Sequence, residues 1–441
     1  MSDLAHDSVV RLTRRRVETL RAAPARTLLD EPVGFPADHP GTLAAAQTLD
    51  AHLRDLGPRP RGDGDLDDLD ELGLTGRGGG HFPASRKWRI VREGVARSGL
   101  AATVVANAAE SEPASAKDLA LLVARPHLVL DGLVCAAEAV GAQDLVLWTH
   151  GDNHRLHRLL VDALHARRAE LAEPAIRLVS GPGGYISGES SAIVRALAGG
   201  PGLPQFSLEH SASGGADGRP TLVHNVETLA RIGLLARWGV DAAPRTSLVT
   251  VLTAGRRTVV EAGETWHLDD TLRTGGWPAD ESPQAVLVGG YGGQWLTWAE
   301  ASGLQLHQPT LRAAGVSLGS GLLFPLPQGR CGLAETARIA RFLADSSARQ
   351  CGPCLFGLPA LAGTLEALAV GRASGGDLRR LQRWTREVAG RGGCHHPDGA
   401  VRMIVSALRV FAHDLADHRR GRPCAGLRAP GLLPFPATDA S

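Results

Sequence analysis

The sequence lacks several features that would by themselves point to a class of protein. Its 47 lysines and arginines are balanced by 46 aspartates and glutamates, so no large net charge attracts nucleic acids or membrane surfaces. It has no run of about 18 apolar residues, the length that a transmembrane helix needs. The early arginines, such as Arg14 and Arg15, are not followed by the apolar stretch of a secretory signal. These absences predict a cytoplasmic protein with no nucleic-acid partner and no direct membrane insertion.

Cysteine is also scarce, and six cysteines in 441 residues do not make a disulfide framework. Three are grouped: Cys351 and Cys354 form a C-x-x-C pair, and Cys394 follows a Gly-Gly turn. No thioredoxin-like βαβ context surrounds the pair, which disfavours a redox disulfide. Structural zinc completed by His395 or His396, an iron–sulfur cluster and incidental thiols all remain open on cysteine count alone.

Glycine is plentiful, and the stretch 73–88 concentrates it. Four glycines, at 76, 78, 79 and 80, surround Arg77. Residues without a Cβ let backbone N–H groups converge on an anion, and Arg77 and Lys87 could add positive charge there. The spacing is neither that of a P-loop nor that of a dinucleotide-binding G-x-G-x-x-G unit. Taken alone, the loop is more typical of a tight turn than of an anion site.

The segment that follows alternates apolar runs with helical patterns. Runs at 101–106, 144–149 and 175–180 predict buried strands, each followed by a polar loop and a helix. This alternation predicts an α/β fold with a mainly parallel sheet, in which ligands bind beyond the carboxyl ends of the strands. Each polar residue there is individually more typical of a helix cap or a satisfied loop residue. Their common position makes them candidates for a site: Asn107, Glu110, Tyr185, Glu189, Asn225 and Thr228.

The rest of the chain predicts further regions. Residues 1–60 read as a partly ordered arm with a helix over 42–56, and 61–244 as the α/β domain. Residues 245–325 are β-rich and separated by glycine clusters, which predicts a small β domain. Residues 326–418 show four helical periodicities and predict a helical bundle carrying the grouped cysteines. Residues 419–441 are rich in proline and glycine and predict a flexible tail. The four helical segments are Leu333–Ala344, Leu355–Val370, Leu378–Val388 and Val401–Leu415.

Together these motifs resemble the FMN- and NADH-binding subunit of respiratory complex I and the related flavoprotein subunits of bacterial hydrogenases and formate dehydrogenases. The resemblance runs from about Leu72 to about Leu415. The family's G-R-G-G-x-G-F-P…K-W loop is matched by Gly76–Gly79, Phe82-Pro83 and Lys87-Trp88, and its N-x-x-E-S-E-P by 107–113. Its G-x-G-x-Y-I-x-G-E is matched at 181–189 and its N-V-E-T at 225–228. Four ordered motifs with matching spacing are specific to this family.

The resemblance implies an α/β flavin domain, a ubiquitin-like β-grasp (SLBB-like) domain and a helical iron–sulfur domain. It implies FMN as cofactor and NADH as substrate, with Phe82 and Phe206 stacking on the adenine and Glu110 bonding the nucleotide. Glu110 and Glu189 position the ligands, and no residue need act as an acid or base. The implied FMN- and NADH-binding residues are Gly76, Arg77, Gly78, Gly79, Phe82, Lys87, Asn107, Glu110, Glu112, Tyr185, Gly188, Glu189, Phe206, Asn225 and Thr228.

The sequence departs from the family pattern at both centres. Ala109, Ser190, His224 and Leu203 replace residues on the flavin and nicotinamide side, where they bear on NADH affinity and hydride geometry.

The family's cluster motif begins with a cysteine where this chain has Ala348. The remaining Cys351, Cys354 and Cys394 could hold a 4Fe–4S cluster with a non-cysteine fourth ligand, or a 3Fe–4S cluster. The fourth ligand could come from His395 or His396, and Cys331 is a weaker candidate. The alternative is that the cluster has been lost.

The sequence therefore predicts an NADH-oxidising flavoprotein subunit that passes single electrons through an iron–sulfur cluster to a partner. The resemblance implies a thioredoxin-like 2Fe–2S subunit, within a quinone-reductase complex at the inner face of a membrane. A ferredoxin is a substitute, given the altered cluster motif. The substitutions motivate a second hypothesis, a redox-silent paralogue that serves as an assembly or binding module. A third is the same electron path run in reverse, from a reduced ferredoxin to NAD⁺.

Overall fold

The structure is a computed structural model that describes residues 27–36, 45–61, 66–151, 153–171, 173–206 and 215–436. Most of the predicted arm and the last residues of the predicted tail lie outside these ranges. The strands are β1 (Val33–Pro36), β2 (Ala102–Asn107), β3 (Ala142–His150), β4 (Ile176–Gly181), β5 (Thr221–Asn225), β6 (Thr246–Thr253), β7 (Arg256–Gly263), β8 (Ala285–Val288), β9 (Gln294–Thr297) and β10 (Leu322–Leu326).

The helices alternate with the strands in the first half of the described chain and dominate its last third. They are α1 (Leu49–Leu56), α2 (Leu66–Leu72), α3 (Ala84–Ser98), α4 (Lys117–Ala124), α5 (Pro126–Val140), α6 (His154–Glu170), α7 (Ser190–Leu197), α8 (Val226–Trp238), α9 (Leu268–Thr274), α10 (Trp298–Ala301), α11 (Gln308–Ala313), α12 (Gly332–Asp345), α13 (Leu358–Ala369), α14 (Asp377–Val388), α15 (His396–Val410) and α16 (Ala412–Arg419).

The first sheet has the order β4-β3-β2-β5, and all its neighbouring strands are parallel. Strand β2 is buried at all but its last residue and β3 is buried over 145–149, as expected for central strands of a sheet covered on both faces. This confirms the predicted α/β class with a mainly parallel sheet. Because the strands are parallel, their carboxyl ends and the loops that follow them share one edge, which is where the predicted site residues lie.

Helices α5 and α8 pack closely against this sheet. A Cβ built on Gly132 of α5 would lie 1.7 Å from the carbonyl oxygen of Leu229 on α8. Only glycine allows the two backbones to approach so closely at this crossing. The resulting contact fixes α8, whose N-terminus follows β5 directly at Asn225 and forms part of the site edge.

The second sheet has the order β1-β7-β6-β10-β8-β9 and is antiparallel apart from the pairing of β6 with β10. Strand β1 comes from the region predicted to be a partly ordered arm, and it pairs with the edge of β7. Only Phe35 of its four residues is buried. The segment therefore has no alternation of apolar and polar residues from which a strand could be predicted. The helix predicted over 42–56 begins only at Leu49, where Thr48 caps it.

The helical region contains the four predicted segments. The first three correspond to α12, α13 and α14, while the fourth begins earlier, at His396, and is divided at Phe411 into α15 and α16. A π-helical turn, Pro353–Gly357, precedes α13 and carries Cys354. The core of this region is continuous with Tyr291 and Trp295 of the second sheet.

The tail prediction is wrong for residues 419–436, which pack against the helical region. Leu433 is buried, and Phe435 contacts Tyr291 and Phe342 through ring centroids 5.3 and 5.4 Å apart. Widely spaced apolar residues among prolines give no periodic signal, so composition suggested disorder where three side chains, including Leu432, pack on the core.

No single helix in the described ranges is both long and apolar enough to cross a membrane. Helices α4 and α5 reach that length and composition only as a pair bent by 96°, and nearly all of their residues are buried in the protein.

Candidate functional site

The glycine-rich loop is a closed turn held by backbone bonds. Thr75 and Pro83 form a β-bridge, and the Gly76 N–H donates to the Phe82 carbonyl at 2.9 Å. Gly79 has a φ of 105°, which suits glycine alone, and His81 has a φ of 46°. The backbone therefore folds back on itself between Thr75 and Pro83, with its glycines at the tip.

This loop lies over the N-terminus of α8. The Arg77 N–H donates to Thr228 Oγ1 at 2.9 Å, and a Cβ on Gly78 would lie 3.4 Å from Asn225 Cβ. Asn225 caps α8 by accepting the Glu227 N–H at 2.9 Å. A helix N-terminus beside a glycine loop places backbone N–H groups and the positive end of a helix dipole together, which is the chemistry of a phosphate site.

The two cations predicted at the loop are directed elsewhere. The Arg77 guanidinium is buried and donates to Ser247 Oγ at 2.7 Å, and burial together with nearby Arg231 lowers its pKa to about 10. Lys87 Nζ donates to the Val223 carbonyl at 2.7 Å, and burial lowers its pKa to about 8. Because both cations bond to groups inside the protein, any binding of an anion at the loop depends on the loop backbone and on the N-terminus of α8.

The loops after β2 and β4 are joined by Asn107. Its Nδ2 donates to the Gly188 carbonyl at 2.9 Å, and its Oδ1 accepts the Ala109 N–H at 3.0 Å. A Cβ on Gly188 would lie 2.6 Å from Ser111 Oγ and 3.1 Å from the Ala109 carbonyl. The motifs of Asn107 and Gly188, residues 81 positions apart in the chain, thus meet in backbone contact, which only glycine at this position permits.

Two of the predicted glutamates cap helices. Glu110 accepts the Asp118 and Leu119 N–H groups of α4, both at 3.2 Å, and burial raises its pKa. Glu189 is exposed and accepts the Ser191 N–H of α7 at 2.9 Å. Each side chain has a structural partner that accounts for its position, and both lie on the loops at the site edge.

Glu112 and Tyr185 form a pair that reaches the second sheet. Glu112 Oε2 accepts the Tyr291 N–H at 2.9 Å and the Tyr185 hydroxyl at 3.4 Å. Burial raises the pKa of Glu112 to about 7. Its other oxygen, Oε1, has no hydrogen-bond partner among the described residues. Burial therefore favours the protonated form of this carboxyl relative to an exposed glutamate.

A buried ion network that sequence analysis missed supports the site edge. Lys117 Nζ lies 2.7 Å from Asp118 and 3.2 Å from Glu227, and Arg231 lies 3.1 Å from Glu227. Asn225 Nδ2 donates to Asp118 at 2.7 Å, which links the network to the cap of α8. The only signal in the sequence was an unusual charge pair, Lys117 and Asp118, at the start of an apolar helix.

Two buried histidines lie near the loop. His224 Nε2 accepts the Trp88 indole N–H at 2.9 Å, and burial together with Lys87 holds its pKa well below the usual value, so it is neutral. His81 has no partner for either ring nitrogen among the described residues, and burial and the nearby Arg77 lower its pKa to about 4. Buried polar atoms are normally hydrogen-bonded, so these two nitrogens mark a position where a bound ligand would supply the missing partners.

The two predicted stacking aromatics occupy different surroundings. Phe82 is in the glycine loop, and the Arg86 guanidinium lies 5.5 Å from its ring centroid. Phe206 is 67% exposed, and a Cβ on Gly393 would lie 3.7 Å from Phe206 Cβ. Phe206 therefore borders the loop that carries Cys394.

The grouped cysteines come together beside the C-terminal end of α12. Cys351 Sγ and Cys354 Sγ are 3.5 Å apart. The Gly393 N–H donates to Cys351 and lowers its pKa despite burial, while burial and the Cys351 thiol raise the pKa of Cys354 to about 12. The Cys394 thiol is also close enough to raise the pKa of Cys354. Thiols held together with a backbone N–H donor are suited to an iron–sulfur cluster or to zinc.

The structure distinguishes among the candidates for a fourth ligand. His396 Nε2 lies 2.7 Å from the Leu343 carbonyl and its ring packs on Tyr185, whereas the His395 side chain is fully exposed. Cys331 lies at the other end of α12, a helix of 14 residues and therefore about 20 Å long. It is grouped with Cys424 and His418, so it does not belong to this set of thiols.

A cavity of about 770 Å³ opens between the polar loops and the helical region. Glu110, Tyr185 and His150 line it from the α/β side and Phe342 from α12. Residues of the C-terminal segment, including Phe435, line its opposite wall. The cavity has the volume of a small-molecule site.

Fold and geometry together define a class: an α/β nucleotide-binding protein with a separate thiol centre on a helical region. The sequence matches two family models, the Nuo51 FMN-binding domain at residues 69–234 and the NADH-ubiquinone oxidoreductase-F iron-sulfur binding region at residues 334–418. The chain belongs to the family of flavoprotein subunits that these two regions characterise.

Individual relatives agree with this assignment. The chain is 28% identical to the F subunit of the Streptomyces coelicolor NADH-quinone oxidoreductase over 374 residues, which are 80% of this chain and 82% of that protein. It is 29% identical to the corresponding protein of Mycobacterium tuberculosis over 377 residues, 80% of this chain and 84% of that one. The crystal structure of an NAD⁺-reducing NiFe-hydrogenase in the H2-reduced state is similar, with a TM-score of 0.73 and 26% identity. That match covers 89% of this chain and 68% of the hydrogenase chain.

The residues at the sheet edge fit FMN. A Cβ built on Gly80 would meet nothing within 4 Å, the positive end of α8 lies beneath the glycine loop, and both ring nitrogens of His81 are buried without a partner among the described residues. The thiols fit an iron–sulfur cluster in chemistry but provide three cysteine ligands, one fewer than the usual four.

Proposed function

We propose that this chain is the NADH-oxidising, FMN-binding electron-transfer subunit of a larger complex. The observation that carries the proposal is the glycine loop resting on the capped N-terminus of α8, at the edge where the loops after β2 and β4 meet. That arrangement supplies an anion site and a ring site side by side. We assign residues 61–244 to flavin binding, 245–325 to a β-grasp domain and 326–418 to the iron–sulfur centre.

When bound, FMN supplies the chemistry: it takes up a hydride equivalent from NADH and gives up electrons one at a time. The backbone of the glycine loop and α8 hold the phosphate. Asn107 fixes the two loops that enclose the ring. Glu112, with a pKa near 7 and a free Oε1 atom, can hold a proton at that oxygen. Phe82 and Phe206 remain our candidates for contacts with the adenine, and Glu110 and Glu189 for positioning.

Cys351, Cys354 and Cys394 would hold the cluster, with a fourth ligand that is not cysteine. The surface beside them is apolar: Phe356 is 75% exposed and Leu355 48% exposed, both on the turn that carries Cys354. An exposed aromatic at an electron-exit site is typical of a partner contact. A thioredoxin-like 2Fe–2S subunit or a ferredoxin is the class of partner we propose, in a complex at the inner face of the membrane.

The test is a visible absorption spectrum of the protein purified without oxygen, before and after NADH is added. We expect flavin bands over a broad iron–sulfur shoulder, and bleaching of the flavin by NADH. In Gly188→Val the new side chain would collide with Ser111 and the Ala109 carbonyl and push the two loops apart, so we expect loss of flavin with the helix content retained by circular dichroism. Gly303→Val is the matched control, because Gly303 has no neighbour within 4 Å of a built Cβ.

The alternative, a redox-silent assembly module, is favoured by the missing fourth cysteine at Ala348. A colourless protein after reconstitution with FMN, iron and sulfide would support that alternative and reject the enzyme. Flavin that binds but stays oxidised with NADH would instead indicate another donor, such as a reduced ferredoxin.

A further inference from the structure

A second group of metal-ligating side chains lies away from the grouped cysteines. Cys331, His418 and Cys424 each offer one ligand atom, and these atoms lie within 4.8 Å of one another. Cys331 precedes α12, His418 lies near the end of α16, and Cys424 follows the turn after that helix. The side chains at these three positions therefore bring two sulfur donors and one nitrogen donor together at one point.

Each side chain is already oriented as a ligand would be. His418 is completely buried, and its Nδ1 lies 2.7 Å from the Ala369 carbonyl, which keeps the proton on Nδ1 and the lone pair on Nε2. The Cys331 thiol accepts the Ala334 N–H at 3.4 Å at the start of α12. The Nε2 lone pair accepts the Cys424 N–H at 2.9 Å, a bond that a metal ion would replace.

The charge and donor set select a class of ion. Two thiolates and a neutral imidazole neutralise a divalent cation, so the loaded site carries no net charge in a largely buried position. Sulfur and imidazole donors favour zinc over magnesium or calcium. Loading exchanges one metal ion for two thiol protons and needs no oxidant or reductant.

The site lies where the C-terminal segment joins the helical region. A Cβ on Gly426 would lie 2.5 Å from the Gly329 carbonyl, so the two backbones touch just beside Cys331. Further along, the Leu432 N–H donates to Glu335 at 2.8 Å. The segment continues to Phe435, which lines the 770 Å³ cavity.

We propose that Cys331, His418 and Cys424 bind one zinc ion, which fastens the segment 420–436 to α12 and α16 and holds one wall of the cavity in place. The site is distinct from the proposed iron–sulfur centre, since it lies at the opposite end of α12.

The experiment uses cobalt as a spectroscopic probe for zinc. The full chain carrying Cys351→Ser, Cys354→Ser and Cys394→Ser is purified without oxygen, so that the other thiol group cannot bind the metal. We expect one Co²⁺ per chain, with thiolate-to-cobalt charge-transfer absorption that stoichiometric zinc removes. X-ray absorption at the zinc edge, measured also on the protein with its cluster in place, should show two sulfur ligands and one nitrogen.

Variants assign the ligands. Cys424→Ser and His418→Gln should weaken cobalt binding by more than about 100-fold, beyond the upper end of what loss of an outer-shell partner costs. Cys135→Ser is the matched control, because Cys135 is a buried free cysteine on α5 with no part in the group. Zinc should also slow amide exchange in 420–436, an effect that a chelator reverses.

Two results would overturn the proposal. One is no cobalt binding by the triple variant while circular dichroism shows it folded. The other is a Cys331–Cys424 disulfide in the protein purified without oxygen, seen as a mass lower by two hydrogens that a reductant restores. Because the cobalt and zinc measurements require no change at the site itself, a variant that fails to fold does not decide the outcome.

Discussion

The two proposed redox centres differ in how completely the polypeptide builds them. At the sheet edge, the loop, the helix cap and the two strand loops are tied together by direct hydrogen bonds through Asn107, Asn225 and Thr228. At the cysteine centre, Cys354 lies on a π-helical turn, Cys351 just before it and Cys394 after a Gly-Gly pair, and Phe356 beside them is exposed. The first site is held by the fold, whereas the second has few such ties.

The difference follows from what each ligand requires. An organic cofactor is held by many weak contacts, so its site must be preorganised by the protein before binding. A metal cluster is held by a few strong bonds and can itself order the ligands that bind it. Changes at the sheet edge should therefore alter the stability of the apoprotein, while changes at the cysteine centre should mainly alter what is bound there or docks there.

The largest effect is expected when the buried network at the sheet edge is broken. Lys117→Met removes the cation between Asp118 and Glu227, so Asp118 loses its nearest cation while Glu227 keeps Arg231 at 3.1 Å. Breaking a buried ion pair in this way costs about 3–5 kcal/mol. Urea unfolding of the apoprotein, followed by circular dichroism, should show that loss in the free energy of unfolding.

The matched control for Lys117→Met is a surface ion pair. Arg177→Gln breaks the ion pair with Asp144. The Arg177 side chain is 56% exposed and the Asp144 side chain 33% exposed, so the free energy of unfolding should fall by no more than about 1 kcal/mol. If the two variants were destabilised equally, the network would not be what holds the edge of the sheet.

A pH-dependent effect is expected at Glu112. Its pKa near 7 in the folded protein lies above the value of 4.5 for an unperturbed glutamate. Between those two pH values the folded state keeps a proton that the unfolded state has released. Its contribution to stability is therefore complete below about pH 4.5 and is lost as the pH rises to about 7, by up to about 3 kcal/mol. Glu112→Gln should remove this pH dependence.

The measurement is the difference in unfolding free energy between the wild type and Glu112→Gln, taken at about pH 5 and about pH 8. The variant should gain relative to the wild type at the higher pH. Glu93→Gln, at an exposed position on α3, should show no such gain. A difference that did not change with pH would mean that Glu112 is ionised in the fold throughout this range.

A smaller effect is expected at His81, where the loop is strained. Its φ of 46° is unfavourable for a residue with a Cβ, and its two ring nitrogens are buried without partners among the described residues. His81→Gly should stabilise the apoprotein by about 1 kcal/mol, after the greater chain entropy of glycine in the unfolded state is subtracted. His81→Ala separates the causes, because it removes the nitrogens but keeps the strained backbone.

If the ring of His81 contacts the cofactor, His81→Gly should weaken FMN binding while it raises apoprotein stability. Fluorescence titration of the apoprotein with FMN measures the first quantity, and thermal unfolding the second. A variant less stable than the wild type would show that the ring has a partner that the described residues do not provide.

Much of the fold follows from local patterns in the sequence. The parallel sheet could be predicted because buried strands read as continuous apolar runs, and the four helical segments because their apolar residues recur with helical period. The position of the candidate site was predicted from the rule that loops after parallel strands share an edge, and the structure places those loops together. Strand β1 and the packed segment through Phe435 could not be predicted, since both depend on partners more than 90 residues away.

The direction of individual side chains was the least predictable feature. Arg77 stands between glycines in a motif that suggests an anion site, but its guanidinium bonds to Ser247, which lies 170 residues further along the chain. No pattern in the sequence around Arg77 indicates that contact. Cys331 likewise could be counted as a thiol, but its grouping with His418 and Cys424 depends on how α16 returns to the start of α12.

The smallest effect on stability is expected at the exposed surface beside the cysteine centre. Phe356→Ser changes a side chain that is 75% exposed, so the unfolding free energy should change by no more than about 0.5 kcal/mol. Flavin content and reduction of the flavin by NADH should be unchanged.

Electron delivery to a ferredoxin, measured by stopped-flow absorption, should slow in Phe356→Ser, because the contact that aligns the two centres is lost. Val161→Ser, at another exposed apolar position, is the control and should leave delivery intact. Equal rates in all three proteins would place the electron exit elsewhere, and the contrast between a preorganised site and a docking centre would not hold at this surface.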